Sequence, residues 1–316
     1  MAQQFPLTNP DGVRLAEARS GNVIYLLLVS MRPHQWVKNL FVLAPLLFGM
    51  KLSQPVYLFT AFAAALSFSL LSSGLYLVND MVDAEADRAH PEKRLRPIAS
   101  GNLSATIAVL AACFLLTVAF AVSFSLGLKF GLVAVTYAVV TLGYCVAFKQ
   151  AIVLDAMLIA SGFVLRVVGG AIAVDVQPTH WLIVCAFLLA LFLAFSKRRQ
   201  ELVTLSDGAA QHRAVLGEYT VSFLDRANNI LLGATLVCYA LYTVAPETVE
   251  RFHTDKLIYG SAFVIYGLLR YLALLQDGKS GANPSKMLVK DKPLLLAVIG
   301  WAIYNALIIY RSSLHF

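Results

Sequence analysis

Residues 57–101 read YLFTAFAAALSFSLLSSGLYLV up to Val78, then NDMVDAEADRAHPEKRLRPIASG from Asn79 to Gly101. The first part carries no charge and is as long as the roughly twenty apolar residues that a helix needs to cross a bilayer. The second part gathers more charge than any other stretch of the chain. Asn79, Asp80, Asp83 and Asp87 fall at helical offsets of three and four, 79 to 83, 80 to 83 and 83 to 87. If the apolar helix continues through them, their side chains stack along one face. Carboxylates massed in this way repel one another unless a cation lies between them. Hard divalent cations take oxygen ligands, and Mg²⁺ in particular is held by one or two carboxylates together with substrate phosphates. Asp80, Asp83 and Asp87 are therefore candidate metal ligands and catalytic residues. Lys93, Arg94 and Arg96 follow as phosphate-pairing cations. A solvated loop at a helix end would explain the mixed charge, but not a shared acidic face abutting an apolar span.

The whole composition agrees with a membrane protein. Of 316 residues, 59% are hydrophobic and 14% charged, and the mean hydropathy is +0.72. Such values lie outside the range of soluble domains. Nine helical spans are predicted, near 36–52, 56–78, 104–125, 129–148, 151–174, 180–196, 228–246, 257–275 and 294–311. Long unbroken apolar runs with scattered Gly, Ala and Ser suit helices packed in lipid. The weak alternating segments of a membrane β-barrel are not seen. The expected class is thus all-α and polytopic.

The net charge of +7 does not point to nucleic acid, because its distribution is topological. Basic residues concentrate in alternate connections: Arg88, Lys93, Arg94 and Arg96; Lys149; Lys197, Arg198, Arg199 and Arg213; and Lys279, Lys286, Lys290 and Lys292. The positive-inside rule places these and the N-terminus in the cytosol and the C-terminus outside. The expected setting is a bacterial-type inner (plasma) membrane. Cys113, Cys145, Cys185 and Cys238 all lie in apolar spans without paired spacing, which reads as small buried hydrophobes. The polar start of the chain has no apolar signal-peptide core.

Asn22 to Ser30 is apolar but too short to span. It leads into Arg32, Gln35, Lys38 and Asn39, spaced to share one helical face at the cytosolic end of the first span. These residues read as a site wall, with Trp36 as an interfacial anchor; snorkelling would also account for Arg32 and Lys38. A second informative region runs from Tyr144 to Gly170. Lys149 falls in a short cytosolic turn, Asp155 about one turn into the fifth span, and Arg166 three turns further on the same face. Ionisable residues in membrane helices are costly and usually face a bundle interior or a wet cavity; a purely structural ion pair is the other reading. Topology puts Asp155 at the same membrane face as the acidic motif. Lys197 and Arg198, closing the sixth span, could reach a phosphate, whereas Arg199 reads as positive-inside charge. Residues 207–226 are expected to form a polar connection with a short helix, and 276–292 a flexible loop. P-loop, hydrolase-elbow and zincin motifs are absent. His34 and His90 are the histidines nearest the acidic stretch, and neither is assigned as a base.

The pattern from Asn79 to Asp87, followed by the R-P-I-A-S-G segment, resembles the UbiA superfamily of membrane prenyltransferases. The superfamily's second Tyr…Lys…Asp pattern is matched by Tyr144, Lys149 and Asp155. Within the superfamily the chain is similar to the decaprenyl-phosphate phosphoribosyltransferase branch, through RPHQWVKN at 32–39, DAEADRAHPEKRLRPIASG at 83–101, SGFVLRVVGG at 161–170 and KRRQEL at 197–202. The resemblance implies a single UbiA-type transmembrane domain over 22–316 after a mobile segment 1–21. It implies transfer of 5-phosphoribose from phosphoribosyl pyrophosphate to a polyprenyl phosphate, with release of pyrophosphate. Mg²⁺ would sit on Asp80, Asp83 and Asp87. Lys93, Arg94, Lys149, Lys197 and Arg198 would cradle phosphates, and the polyprenyl phosphate head would lie near Arg32 and Lys38. Gln35, Asn79, Tyr144 and Arg166 complete the expected substrate-binding set. Asp155 would stabilise developing positive charge or hold a second Mg²⁺.

Two other functions share some of these features. An aromatic or quinone-type prenyltransferase would keep the metal site but use a prenyl diphosphate as donor. A transporter would explain the spans, yet its charges are expected near the bilayer midplane, in broken inverted repeats. The partners expected are the two substrates and the lipid bilayer, with no nucleic acid; the sequence leaves a homo-oligomer open.

Overall fold

The computed structural model describes residues 22–89, 93–205, 214–276, 287 and 290–313. The segment 1–21, His90 and most of the loop 276–292 lie outside the described residues. Among the described residues all regular structure is helical.

Helix α1 (Val23–Met31) opens at Asn22, whose side-chain oxygen accepts from the Ile24 and Tyr25 amides at 3.0 and 3.4 Å. It closes at Arg32, in the left-handed region with φ 54°. A 3-10 helix (Pro33–Val42) and the short α2 (Ala44–Phe48) follow, then α3 (Pro55–Val82) and α4 (Ala84–Arg88). After a 3-10 turn at Lys93–Leu95 come α5 (Ala105–Ser125) and α6 (Leu128–Gly143), which runs into a π turn at Tyr144–Phe148. Next are α7 (Leu154–Ala173), α8 (His180–Leu205), α9 (Ala214–Glu218), α10 (Val221–Val244) and α11 (Pro246–Phe252). A 3-10 helix (Lys256–Gly260), α12 (Ser261–Gln276) and α13 (Lys292–Ser313) complete the chain.

Among the described residues eight helical stretches are long and apolar enough to cross a membrane, α6 taken with its π turn and α12 with the 3-10 helix before it. They match the expected spans other than 36–52. That stretch does not form one helix, and its sequence explains why. Pro33 and Pro45 lack the amide that continues an α-helix, and Asn39 carries an amide into the interior. The resulting 3-10 run is long for its kind. It is held by close approach: a Cβ on Gly170 of α7 would lie 2.0 Å from the Val42 carbonyl oxygen, so only glycine lets the two backbones meet there. α2 packs beside α7 as well.

The chain divides into two compact units. The first comprises Met1–Trp36 and Ser69–Ala119, with a core of Leu26, Leu77, Ile98, Leu103, Ala112 and Leu115. The second comprises Val37–Phe68 and Phe120–Phe316. In it α8 packs between α7 and α10, around Ala156, Ala160, Phe192, Phe195, Tyr219 and Leu224. Separately, Phe48, Phe252, Leu257 and Ile309 form a smaller core. The four cysteines are free thiols.

Candidate active site

In the first unit the acidic motif keeps its helical spacing beyond the end of α3. The Asp83 amide donates to the Asn79 carbonyl at 2.9 Å, and the Asp87 amide to the Asp83 carbonyl at 2.8 Å. Asp80 and Asp87, about two turns apart, therefore face the same way. Both are buried, Asp80 to 2% exposure. Asp80 Oδ1 accepts from Arg32 Nη2 and, at 3.1 Å, from Arg96 Nη1. The same Arg96 nitrogen donates to Asp87 Oδ2 at 2.5 Å. Asn79 donates its amide to Asp83 Oδ2 at 3.2 Å.

The two arginines reach this face for local reasons. Arg96 starts the R-P-I-A-S-G turn, in which the Ser100 amide donates to the Arg96 carbonyl and the Leu103 amide to the Pro97 carbonyl. Gly101 takes φ 79°, a value glycine adopts freely, while Ile98 and Ala99 are buried and anchor the loop. Arg32 sits at the left-handed end of α1, its guanidinium 5.0 Å from the Tyr76 ring centroid. The segment after it is latched to α3: Trp36 donates to the Ser73 hydroxyl at 3.0 Å, and Ser73 donates to the Met31 carbonyl at 3.0 Å. Burial pushes the Asp87 carboxyl above the ordinary carboxylate range, with the neighbouring Arg96 opposing that rise. Lys93 is half-buried and Arg94 exposed beside the motif.

Among the described residues no three His, Cys, Asp or Glu side chains converge as a ready-made metal cluster. The donor set nevertheless fits a hard divalent cation. It is made of carboxylates and one amide, all oxygen ligands of the kind such cations take. The charge of the buried Asp80 and Asp87 is compensated by guanidiniums that remain partly open to solvent, with side-chain exposures of 22% for Arg32 and 26% for Arg96.

In the second unit Asp155, Arg198 and Tyr144 come together, joined by Tyr219 and Glu201. Asp155 is fully buried. Its Oδ2 accepts from Arg198 Nε at 2.7 Å, and its Oδ1 accepts from the Tyr219 hydroxyl at 2.7 Å. Arg198, 1% exposed, donates further to Glu201 Oε2 at 2.9 Å and to the Tyr144 hydroxyl at 3.4 Å. Burial, and then donation to Asp155, raise the Tyr219 hydroxyl well above its usual range, so it stays protonated at neutral pH. Lys149 is half-buried at the turn before α7. Lys197 points outward at 46% side-chain exposure, 3.7 Å from Glu201. Arg199 pairs with Asp225 at 2.5 Å and donates to the Leu275 carbonyl.

Arg166 lies deeper in α7. It donates to Asn39 Oδ1 at 2.7 Å, to the Gly162 carbonyl at 2.8 Å and to the Tyr137 hydroxyl at 2.7 Å, with its guanidinium over the Tyr137 ring. The face expected to unite Arg32, Gln35, Lys38 and Asn39 is thus divided. Arg32 serves Asp80, Gln35 lies against His34 at 3.0 Å, and Asn39 is buried under Arg166. The sequence singles out neither Tyr219, one of two aromatics in a polar connection, nor Tyr137, one of several in an apolar span. Glu201 carried a signal in its place within KRRQEL.

A model of the UbiA prenyltransferase family matches residues 42–298. The chain belongs to this family. It is 33% identical over 291 residues to the decaprenyl-phosphate phosphoribosyltransferase of Mycolicibacterium smegmatis, covering 89% of this chain and 91% of that one. It is 31% identical to the protein of the same name from Mycobacterium tuberculosis H37Rv, over 89% and 93% of the two chains. Among solved structures, a UbiA homologue from Archaeoglobus fulgidus bound to GPP and Mg²⁺ superposes with a TM-score of 0.69 at 20% identity, over 90% of this chain and 99% of that one. That likeness establishes the UbiA fold.

Proposed function

We propose that the protein is a divalent-metal-dependent transferase that moves 5-phosphoribose from phosphoribosyl pyrophosphate to a decaprenyl-phosphate-like polyprenyl phosphate. The products are pyrophosphate and polyprenyl-phosphoryl-5-phosphoribose. The observation that carries this reading is the likeness, along nearly the whole of both chains, to the phosphoribosyltransferases. The acidic motif and its arginines supply chemistry suited to it.

Asp80, Asp83 and Asp87 are the residues that would hold Mg²⁺, with Asn79 supporting Asp83. When bound, the cation neutralises charge on the departing pyrophosphate. Lys93, Arg94, Lys149 and Lys197 provide donors for phosphate oxygens. Arg32, together with Gln35 and Lys38, is assigned to the phosphate of the lipid acceptor. An oxygen of that phosphate forms the new bond to the anomeric carbon. The bond from that carbon to the pyrophosphate oxygen breaks, and its electron pair leaves with pyrophosphate. A phosphate monoester is already anionic near neutral pH, so the acceptor needs no strong base. This agrees with an Asp155 whose two oxygens are both taken by Arg198 and Tyr219. We assign Asp155, Arg198 and Arg166 to holding the scaffold, with Tyr144 at its edge.

The protein would lie in the plasma membrane, with the N-terminus and the acidic motif at the cytosolic face and the C-terminus outside. The broken segment 33–48 would supply the additional crossing beyond the eight long helices. The test is a membrane assay with labelled phosphoribosyl pyrophosphate, polyprenyl phosphate and Mg²⁺, with and without EDTA. Labelled lipid that requires both the acceptor and the metal is expected. Activity only with a prenyl diphosphate and an aromatic acid would refute the reading.

A further inference from the structure

The turn that precedes Asp155 has an unusual backbone. Val153 takes φ 66°, ψ −49°, and the Leu154 amide donates across it to the Ile152 carbonyl at 2.7 Å. This is the rare three-residue turn that requires positive φ. A β-branched residue there is strained, and such strain persists only where the surroundings impose it.

The imposing group is Tyr219. Its oxygen accepts the Val153 amide at 2.7 Å, and its proton goes to Asp155 Oδ1, also at 2.7 Å. One hydroxyl therefore ties both ends of the strained turn. Tyr219 itself has little freedom. It is buried, edge-on to Phe195 with centroids 6.1 Å apart and stacked on Phe223 at 6.0 Å. Arg198 clamps the other oxygen of Asp155, so the start of α7 is fixed from two elements at once. The same turn leads back through the Ala151 amide, donating to the Phe148 carbonyl, to Lys149 and the π turn carrying Tyr144.

We propose that Tyr219 is a positioning residue for phosphoribosyl transfer. Its hydroxyl holds the strained Val153 turn, and the turn sets where Lys149 and the start of α7 stand when the pyrophosphate group binds. This rests on the assignment of Lys149 to a substrate phosphate made above. An ordinary aromatic core residue would need its ring but not its hydroxyl.

The test uses Tyr219→Phe in the full-length protein in detergent, with three readouts. Hydrogen exchange over residues 148–157 should accelerate at least about ten-fold. The dissociation constant of inorganic pyrophosphate with Mg²⁺ should rise about ten-fold. In turnover, KM for phosphoribosyl pyrophosphate should rise by a similar factor while KM for polyprenyl phosphate stays within about two-fold. These factors match the loss of one charge-assisted hydrogen bond. Adding Val153→Gly should restore most of the lost affinity, because glycine takes positive φ without the latch. The double variant also serves if the single one does not fold. Faster exchange with unchanged pyrophosphate binding and KM would overturn the proposal, as would a folded double variant without recovery. If the wild-type protein makes no phosphoribosyl lipid, the reading of function fails. The pyrophosphate titration then still decides whether Tyr219 positions the site.

Discussion

Asp80 and Asp155 are both buried carboxylates paired with arginine, and they differ in what surrounds the cation. The Asp80 partners, Arg32 and Arg96, keep about a quarter of their side-chain surface open. The Asp155 partner, Arg198, is 1% exposed and makes three side-chain hydrogen bonds to Asp155, Glu201 and Tyr144. A guanidinium at a wet edge can exchange a carboxylate for an incoming phosphate at little cost. A dry, fully bonded one cannot, because leaving its partner would strand an unpaired charge. On the proposed function, similar residue pairs would serve an exchangeable site in one place and a fixed joint in the other.

That contrast can be broken by mutation, and the largest expected effect is at the dry pair. Arg198→Leu should lower stability by about 3–5 kcal/mol, because it leaves Asp155 buried and unpaired; thermal unfolding in detergent reads this. Asp155→Leu combined with Arg198→Leu should recover a good part of the loss, and no recovery would show that the pair is not the dry joint described. Next, Asp80→Ala or Asp83→Ala should reduce phosphoribosyl transfer by more than about a hundred-fold through loss of metal-held charge. Membrane insertion and unfolding temperature should change little. Arg96→Ala should cost about 2 kcal/mol of stability, because it takes the guanidinium from the buried Asp87 while leaving a gap open to water, and should slow transfer about ten-fold. A large stability loss with normal turnover would instead make Arg96 a second fixed joint. The smallest effect is expected away from both regions. Asp291 accepts the Leu294 amide at 2.9 Å and pairs with Arg270 at 2.8 Å, so Asp291→Ala should cost about 1 kcal/mol and leave turnover intact.

The acidic stretch was legible in the sequence because helical spacing alone sets Asn79 beside Asp83 and Asp80 in line with Asp87, whereas the sharing of Arg96 by Asp80 and Asp87 was not. The spans were legible from apolar length, except at 36–52. There hydropathy does not register that two prolines and the Gly170 contact favour a tight 3-10 run. The division of labour among Lys197, Arg198 and Arg199 was not legible. Three adjacent cations on a helix end look alike, and only packing against α7 and α10 turns Arg198 inward, leaves Lys197 in water and aims Arg199 at Asp225. Tyr219 was invisible for a related reason. Its role depends on the backbone angle of a residue distant in the chain, which leaves no trace in local periodicity.

The most direct test of the account is Mn²⁺ binding in the presence of inorganic pyrophosphate, followed by electron paramagnetic resonance, for the wild-type protein, Asp80→Asn and Asp155→Asn. The account predicts that Asp80→Asn loses the bound Mn²⁺ signal outright, while the folded fraction of Asp155→Asn keeps it, weakened by no more than the about ten-fold expected when the latch on the Val153 turn is disturbed. Equal loss in both variants would contradict it, because Asp155 would then belong to the metal site and not to the scaffold.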